Sequence, residues 1–140
     1  PDLTIEESAS WLGATNENSI NPIYVIAPST SDARMPKVTA ACGGFVYAAS
    51  LMGVTGARNS VSSGAADLVA RIRTTTGLPV AVGLGVSTRE QAKGVAAYAD
   101  GVIVGSAFIK ALQDAPNEEA GLAAVKELAT ELAKGVREGR

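Results

Sequence analysis

Four short runs of β-branched and small apolar residues constrain this chain more than anything else in it. They are Ile23–Ala27, Phe45–Ser50, Pro79–Gly83 and Gly101–Val104. Each is nearly continuous rather than alternating, the pattern of strands covered on both faces, as in a parallel sheet. Helix-length segments separate them. Parallel neighbours need such crossovers, and the crossovers are right-handed, so the four strands are expected side by side in one sheet. An α/β fold follows, either an open doubly wound sheet or part of a (β/α)8 barrel. A whole barrel takes roughly 250 residues. The 140 residues here hold about half of one.

The intervening segments carry helix signals. Thr4 with Glu7 and Ser87 with Glu90 have capping-box spacing. Ser31 is a candidate cap after the first strand, with Pro36 restricting where that helix begins. Gly77 stands where a helix is expected to stop, just before Pro79. The clearest helix runs from Asn117 to Gly139, with Leu122, Val125, Leu128, Ala129, Leu132 and Val136 as its apolar stripe. Glu118 and Glu119 near its start and Lys134 and Arg137 near its end suit the helix dipole. This helix reads as a packing element.

Pro1-Asp2-Leu3, directly before a capped helix, reads as the end of a strand that begins upstream. A four-stranded half-barrel would also leave two bare strand edges, which natural sheets avoid. The expectation is one domain, residues 1–140, with the upstream half of the barrel missing from the chain.

Composition narrows the function classes. Hydrophobic residues make up 46%, enough for a core, and the net charge of −2 gives no broad basic face for nucleic acid or a membrane surface. The apolar runs are strand-sized, and the first residues have neither a basic nor an apolar signal region. Cys42 is the single cysteine, which fits a reducing, cytoplasmic compartment and reads as a small buried hydrophobe. There is no histidine. Acid–base work would therefore fall to carboxylates, Tyr, Lys or the thiol, and imidazole metal sites are excluded. No metal site is expected.

The turns after the last three strands carry the chemistry. Gly53-Val54-Thr55-Gly56, Leu84-Gly85-Val86-Ser87 and Gly105-Ser106 all follow C-terminal strand ends. Barrel active sites are built on that face. Glycine lets backbone N–H groups approach an anion, and a helix beginning near Ser106 adds free donors and a favourable dipole. Three such turns meeting at one point would grip a phosphate without any Lys or Arg. Candidates for proton transfer are scarcer. Asp2 lies at a C-terminal strand end, and Tyr47 is placed to point into the barrel. Asp100 precedes its strand and belongs to the opposite face, while Glu6, Asp67 and Glu90 fall in helices as solvated surface.

These residues resemble the tryptophan synthase α subunit family, in order along essentially the whole chain. Pro1-Asp2-Leu3 with Glu6-Glu7-Ser8 resembles the end of the family's fourth strand. Phe45-Val46-Tyr47 leading to Gly53-Val54-Thr55-Gly56-Ala57-Arg58-Asn59 is similar to its sixth strand and mobile loop. Pro79–Ser87 and Asp100–Ala107 are similar to its seventh and eighth. The resemblance implies the C-terminal half of a TIM barrel, with parallel strands 5–8 and their helices. It implies retro-aldol cleavage of indole-3-glycerol phosphate to indole and glyceraldehyde 3-phosphate, in tryptophan biosynthesis. Gly56, Gly85, Gly105 and Ser106 would hold the substrate phosphate, and Tyr47 and Leu84 would line the indole pocket. Asp2, Tyr47 and Thr55 would support catalysis, Thr55 from the loop that closes over substrate, Gly53–Ser63. It also implies a heterotetramer with a β subunit, which alone would carry pyridoxal phosphate. The family's two catalytic carboxylates belong to its second strand and the loop after it, so this chain by itself is expected to be inactive. The alternative is a non-catalytic, phosphate-binding half-barrel that self-associates through its bare edges.

Overall fold

The strands form where the apolar runs predict them, and all four run parallel. The computed structural model describes residues 3–49, 61–83 and 85–140. Its elements are α1 (Ala9–Glu17), β1 (Val25–Ile26), α2 (Met35–Ala41), β2 (Val46–Ala49), α3 (Val61–Arg73), β3 (Val80–Gly83), α4 (Arg89–Ala96), β4 (Gly101–Ile103), α5 (Ser106–Gln113) and α6 (Glu118–Glu138). The sheet order is β1-β2-β3-β4, the order in sequence. Val25, Tyr47, Ala81 and Gly101 form one row across it, and Ile26, Ala48, Val82 and Val102 the next.

Alternate rows face opposite ways. Ile26, Val46, Ala48, Val80 and Val82 are wholly buried against Met35, Leu68, Val69, Ile72 and Val95 of the helices. The other face holds Val25, Tyr47, Ala49, Gly101 and Ile103, all only partly buried. The expectation that both faces are covered therefore holds on the helix side and, on the inner face, at Ala81 and Gly83 of β3 alone, because among the described residues no second layer packs there. The exposed large hydrophobics follow the same geometry. Leu3, Trp11, Ile20 and Ile23 lie before β1, and Ile109, Leu112 and Leu122 lie after β4. None of the seven belongs to the central units α2, α3 and α4.

Helix starts differ from the expected ones in instructive ways. Thr4 and Glu7 close a turn, with the Thr4 hydroxyl donating to the Glu7 carboxylate at 2.8 Å, and α1 begins only at Ala9. Ser8 stands at its N-cap, but its buried hydroxyl donates to the Ile5 carbonyl and accepts from Tyr24 Oη at 2.6 Å. Glu6 thus lies in that turn rather than in a helix. In the next unit the Ser31 carbonyl, not its hydroxyl, receives the Arg34 and Met35 N–H groups at 3.0 Å. Pro36 sits in the first turn of α2, where its missing N–H costs nothing. Helix α3 already ends at Arg73, so Gly77 belongs to the link into β3 and is not a helix stop. Cys42 is half-buried rather than buried, and that burial raises its thiol pKa.

Helix α6 runs as expected from an Asn117 cap, whose side chain accepts the Ala120 N–H at 2.9 Å, to Gly139. The apolar stripe packs inward at Leu132, which is buried, and at Leu128 and Val136, which lie against the core, but not at Leu122. Leu122 is 60% exposed, whereas Gly121, Leu132 and Gly135 are buried. The glycines let α6 lie directly on α4: a Cβ on Gly135 would overlap the Arg89 carbonyl oxygen, and one on Gly139 that of Lys93. Arg89 ties the pair further through Glu131 at 3.3 Å and through Glu138.

Asp100 closes the N-terminal edge of the sheet, as its position before β4 predicts. Its carboxylate accepts the N–H of buried Val80 at 2.9 Å and pairs with Arg73 at 3.0 Å. Those two contacts, the backbone one first, hold its pKa below the ordinary carboxylate value. A folded-state pKa below the unfolded one stabilises the fold at pH above the unfolded value, about 3.9, and the contribution fades as pH falls through the lower folded value. Asp100→Ala strands a buried N–H, which costs about 1–2 kcal/mol at neutral pH. Urea unfolding should show that loss at pH 7 and a much smaller one at pH 2. An equal loss at both would remove the role given to the charge.

Candidate phosphate-binding cleft

Parallel strands deliver their C-terminal ends to one edge, and the glycine turns gather there. β3 ends at Gly83 and β4 at Ile103. Gly85 follows with φ +79°, a left-handed conformation that suits glycine and turns the chain sharply into α4. Gly85, Val86 and Ser87 form one wall of an open cleft of 580 Å³. Ser106 and Lys110 of α5 and Asp114 at its C-cap line the same cleft. Two of the expected phosphate-binding residues, Gly85 and Ser106, are thus brought to one space. Gly105 is the N-cap of α5, one residue from Ser106.

The two helix starts at this cleft have different donor balances. The expected box of Ser87 and Glu90 appears one residue later, between Thr88 and Gln91. The Thr88 hydroxyl accepts the Gln91 N–H, and Gln91 Oε1 accepts the N–H groups of Ser87 at 2.8 Å and Thr88 at 3.1 Å. At the start of α4 the amides of Ser87, Thr88 and Gln91 are therefore already bonded within the turn. Helix α5 starts differently. Gly105 has no side chain, so no side-chain cap bonds the first turn. The Phe108 N–H bonds back to the Gly105 carbonyl at 3.0 Å, and among the described residues no side chain takes up the other donors of that turn, which the helix dipole backs.

Tyr47 lies on the inner face of β2, as expected, with its ring against Gly83. A Cβ at Gly83 would come within 2.8 Å of Tyr47 Oη. That missing Cβ makes the room in which the phenol lies at the same end of the sheet as the cleft. Asp2, Thr55, Gly56 and Leu84 lie outside the described residues.

Carboxylates near this edge are committed to cations. Glu6 holds Arg34 through two bonds of 2.6 Å, and that pairing lowers its pKa. Asp32 accepts from Arg71 at 2.7 Å, and Asp114 from Lys110 at 2.6 Å. Among the described residues, none of these is an unpaired acid or base aimed at the inner face. Among the described residues the arrangement gathers a glycine turn and a helix start without a side-chain cap at one cleft. Sequence reasoning missed Lys110 and Asp114, whose i,i+4 spacing on a short helix was the available signal.

Comparison with known proteins agrees with the topology. A family model described as tryptophan synthase alpha chain matches residues 1–137. The alpha chain of Streptomyces avermitilis is 60% identical over 139 residues, covering 99% of this chain and 50% of that protein. That of Streptomyces coelicolor is 57% identical, covering 98% and 51%. The chain thus spans about half the length of the curated relatives it matches. Among solved structures, tryptophan synthase from M. tuberculosis in its aminoacrylate-bound form superposes with a TM-score of 0.82 at 42% identity, over 98% of this chain and 49% of that one. The tryptophan synthase a2b2 complex of Pyrococcus furiosus superposes with a TM-score of 0.77 at 34% identity, over 94% and 53%. The four-stranded unit corresponds to half of that barrel.

Proposed function

The chain belongs to the tryptophan synthase alpha chain family, and from that membership we propose that it supplies the phosphate-gripping half of a lyase that cleaves indole-3-glycerol phosphate. The products are indole and glyceraldehyde 3-phosphate. The observation that carries this reading is the meeting of the Gly85 turn and the uncapped start of α5 in one cleft. Backbone donors at Gly85, Gly105 and Ser106, joined by Gly56, hold the phosphate. Each bond to a charged acceptor contributes roughly 1.5–3 kcal/mol before binding costs. Tyr47 and Leu84 flank the indole, Thr55 belongs to the loop that closes over it, and Asp2 supports the pocket. The bond-breaking step needs a base at the indole N–H and an acid at the ring carbon. Both are carboxylates of the upstream half in this family. The partner is a β subunit that receives the indole and carries the pyridoxal phosphate; this subunit needs no cofactor. Its expected site of action is the cytoplasm, with which the single cysteine is compatible; among the described residues no helix is long and apolar enough to cross a membrane.

The cup has a direct test. Glycerol 3-phosphate added to the labelled protein should shift the amide signals of Gly85, Gly105 and Ser106 together, while glycerol leaves them in place. The Ser87 amide, already bonded to Gln91, should move least. Signals that stay fixed in a folded sample would remove the phosphate cup.

A second reading keeps the cup and drops the catalysis. The seven exposed large hydrophobics belong to the segments before β1 and after β4, the two edge strands. In this reading a second copy of the chain covers them, and the half-barrel binds phosphate without cleaving anything.

A further inference from the structure

Lys110 is a cation in the wall of the cleft, and the phosphate cup does not yet use it. It lies one turn beyond Ser106 on α5, about 6 Å along the axis. Helical side chains lean toward the N-terminus, so the natural direction of Lys110 is back toward Ser106. In this structure it points the other way, to Asp114 at 2.6 Å.

That ion pair is built weakly. Its lysine precedes its acid at i,i+4, the less favourable order against the helix dipole. The two side chains are 75% and 62% exposed, a setting in which ion pairs contribute little. A phosphate dianion at the start of α5 offers the ammonium more charge in the direction its stem prefers. The start of α5 also repels a free ammonium when no anion is there. The acid at position 114 therefore suits the empty cleft, and the phosphate suits the filled one.

We propose that Lys110 is a specificity-determining residue for dianionic phosphomonoesters, parked on Asp114 until such a ligand enters the cleft. The inference rests on the phosphate cup described above. It adds a charge-sensitive contact to a cup otherwise made of backbone, and it makes Asp114 a competitor of the ligand. Removing the lysine and removing the acid should then have opposite effects.

The test is an NMR titration of the intact chain with glycerol 3-phosphate, following the Gly85 and Ser106 amides. Lys110→Gln should weaken binding about three- to tenfold, and Asp114→Asn should tighten it about two- to threefold. The double variant should bind like Lys110→Gln alone, because the acid acts only through the lysine. The second phosphate pKa lies near 6, so the Lys110→Gln penalty should be larger at pH 8 than at pH 5. A merely structural role would give a penalty independent of pH and no gain from Asp114→Asn. If the wild-type chain binds and Lys110→Gln binds equally well, the proposal is overturned while the cup stands. If the wild-type amides do not respond at all, the cup falls and the proposal with it.

Discussion

The 140-residue chain on its own is expected to release no indole from indole-3-glycerol phosphate above the buffer rate. General acid and base groups each contribute roughly 10²–10⁴-fold to proton-transfer steps, and among the described residues no unpaired carboxylate faces the cleft. The chain has no histidine. Glu6, Asp32 and Asp114 are held by Arg34, Arg71 and Lys110. Asp100 caps β3 at the opposite edge. A cup that binds substrate and transition state alike lowers KM without raising kcat. Fusing the chain behind the N-terminal half of the Streptomyces avermitilis alpha chain, a relative at 60% identity, should restore release. The gain should reach several orders of magnitude. A turnover in the ordinary enzymatic range, about 1–10³ s⁻¹, from the 140 residues alone would overturn this account. Mass in solution separates the two functional readings in the same samples. The self-associating reading requires twice the 14.1 kDa of one chain, together with an inactive fusion.

The largest stability effect is expected at Gly135. Alanine is ordinarily the better helix former by about 1 kcal/mol, so a sequence argument alone makes Gly135→Ala stabilising. The structure reverses the sign. The added methyl would overlap the Arg89 carbonyl, which is backbone and cannot rotate away. Helices α4 and α6 must separate, loosening Leu132 and Val136 from the core and stretching Arg89 from Glu131 and Glu138. Such overpacking costs about 1–3 kcal/mol. Gly94, in α4 of the same helix pair, meets nothing within 4 Å of its would-be Cβ. Gly94→Ala should therefore stabilise by about 0.5–1 kcal/mol. Thermal unfolding reads both, at about 2–8 °C for each kcal/mol in chains of this size range. A Gly135→Ala protein that melts at or above the wild-type temperature would show that α6 does not sit on the backbone of α4.

The contrast between those two glycines shows how far local pattern reaches. Both stand inside helices, and nothing in their neighbours along the chain tells one from the other. The capping boxes teach the same lesson. The Ser87–Glu90 spacing was present, yet the backbone chose Thr88 and Gln91 one residue on. Leu122 belongs to the apolar stripe of α6 by spacing, yet it is exposed, and Leu112 of α5 lies against Gly121 beside it.

What the sequence determined by itself was the sheet and its chemistry-bearing edge. Continuous apolar runs, crossover-length spacers and glycines after the strands are local properties. They placed β1 to β4, the cap and end of α6, and Gly85, Gly105 and Ser106 at the C-terminal edge of the sheet. Tertiary structure decided which donors at that edge remain available. The start of α4 consumes its own amides through Gln91, whereas α5 has no side-chain cap. It also decided that Lys110 shares the cleft and that Gly135 lies on the Arg89 carbonyl. Those outcomes depend on distances between groups far apart in the chain, and only packing sets such distances.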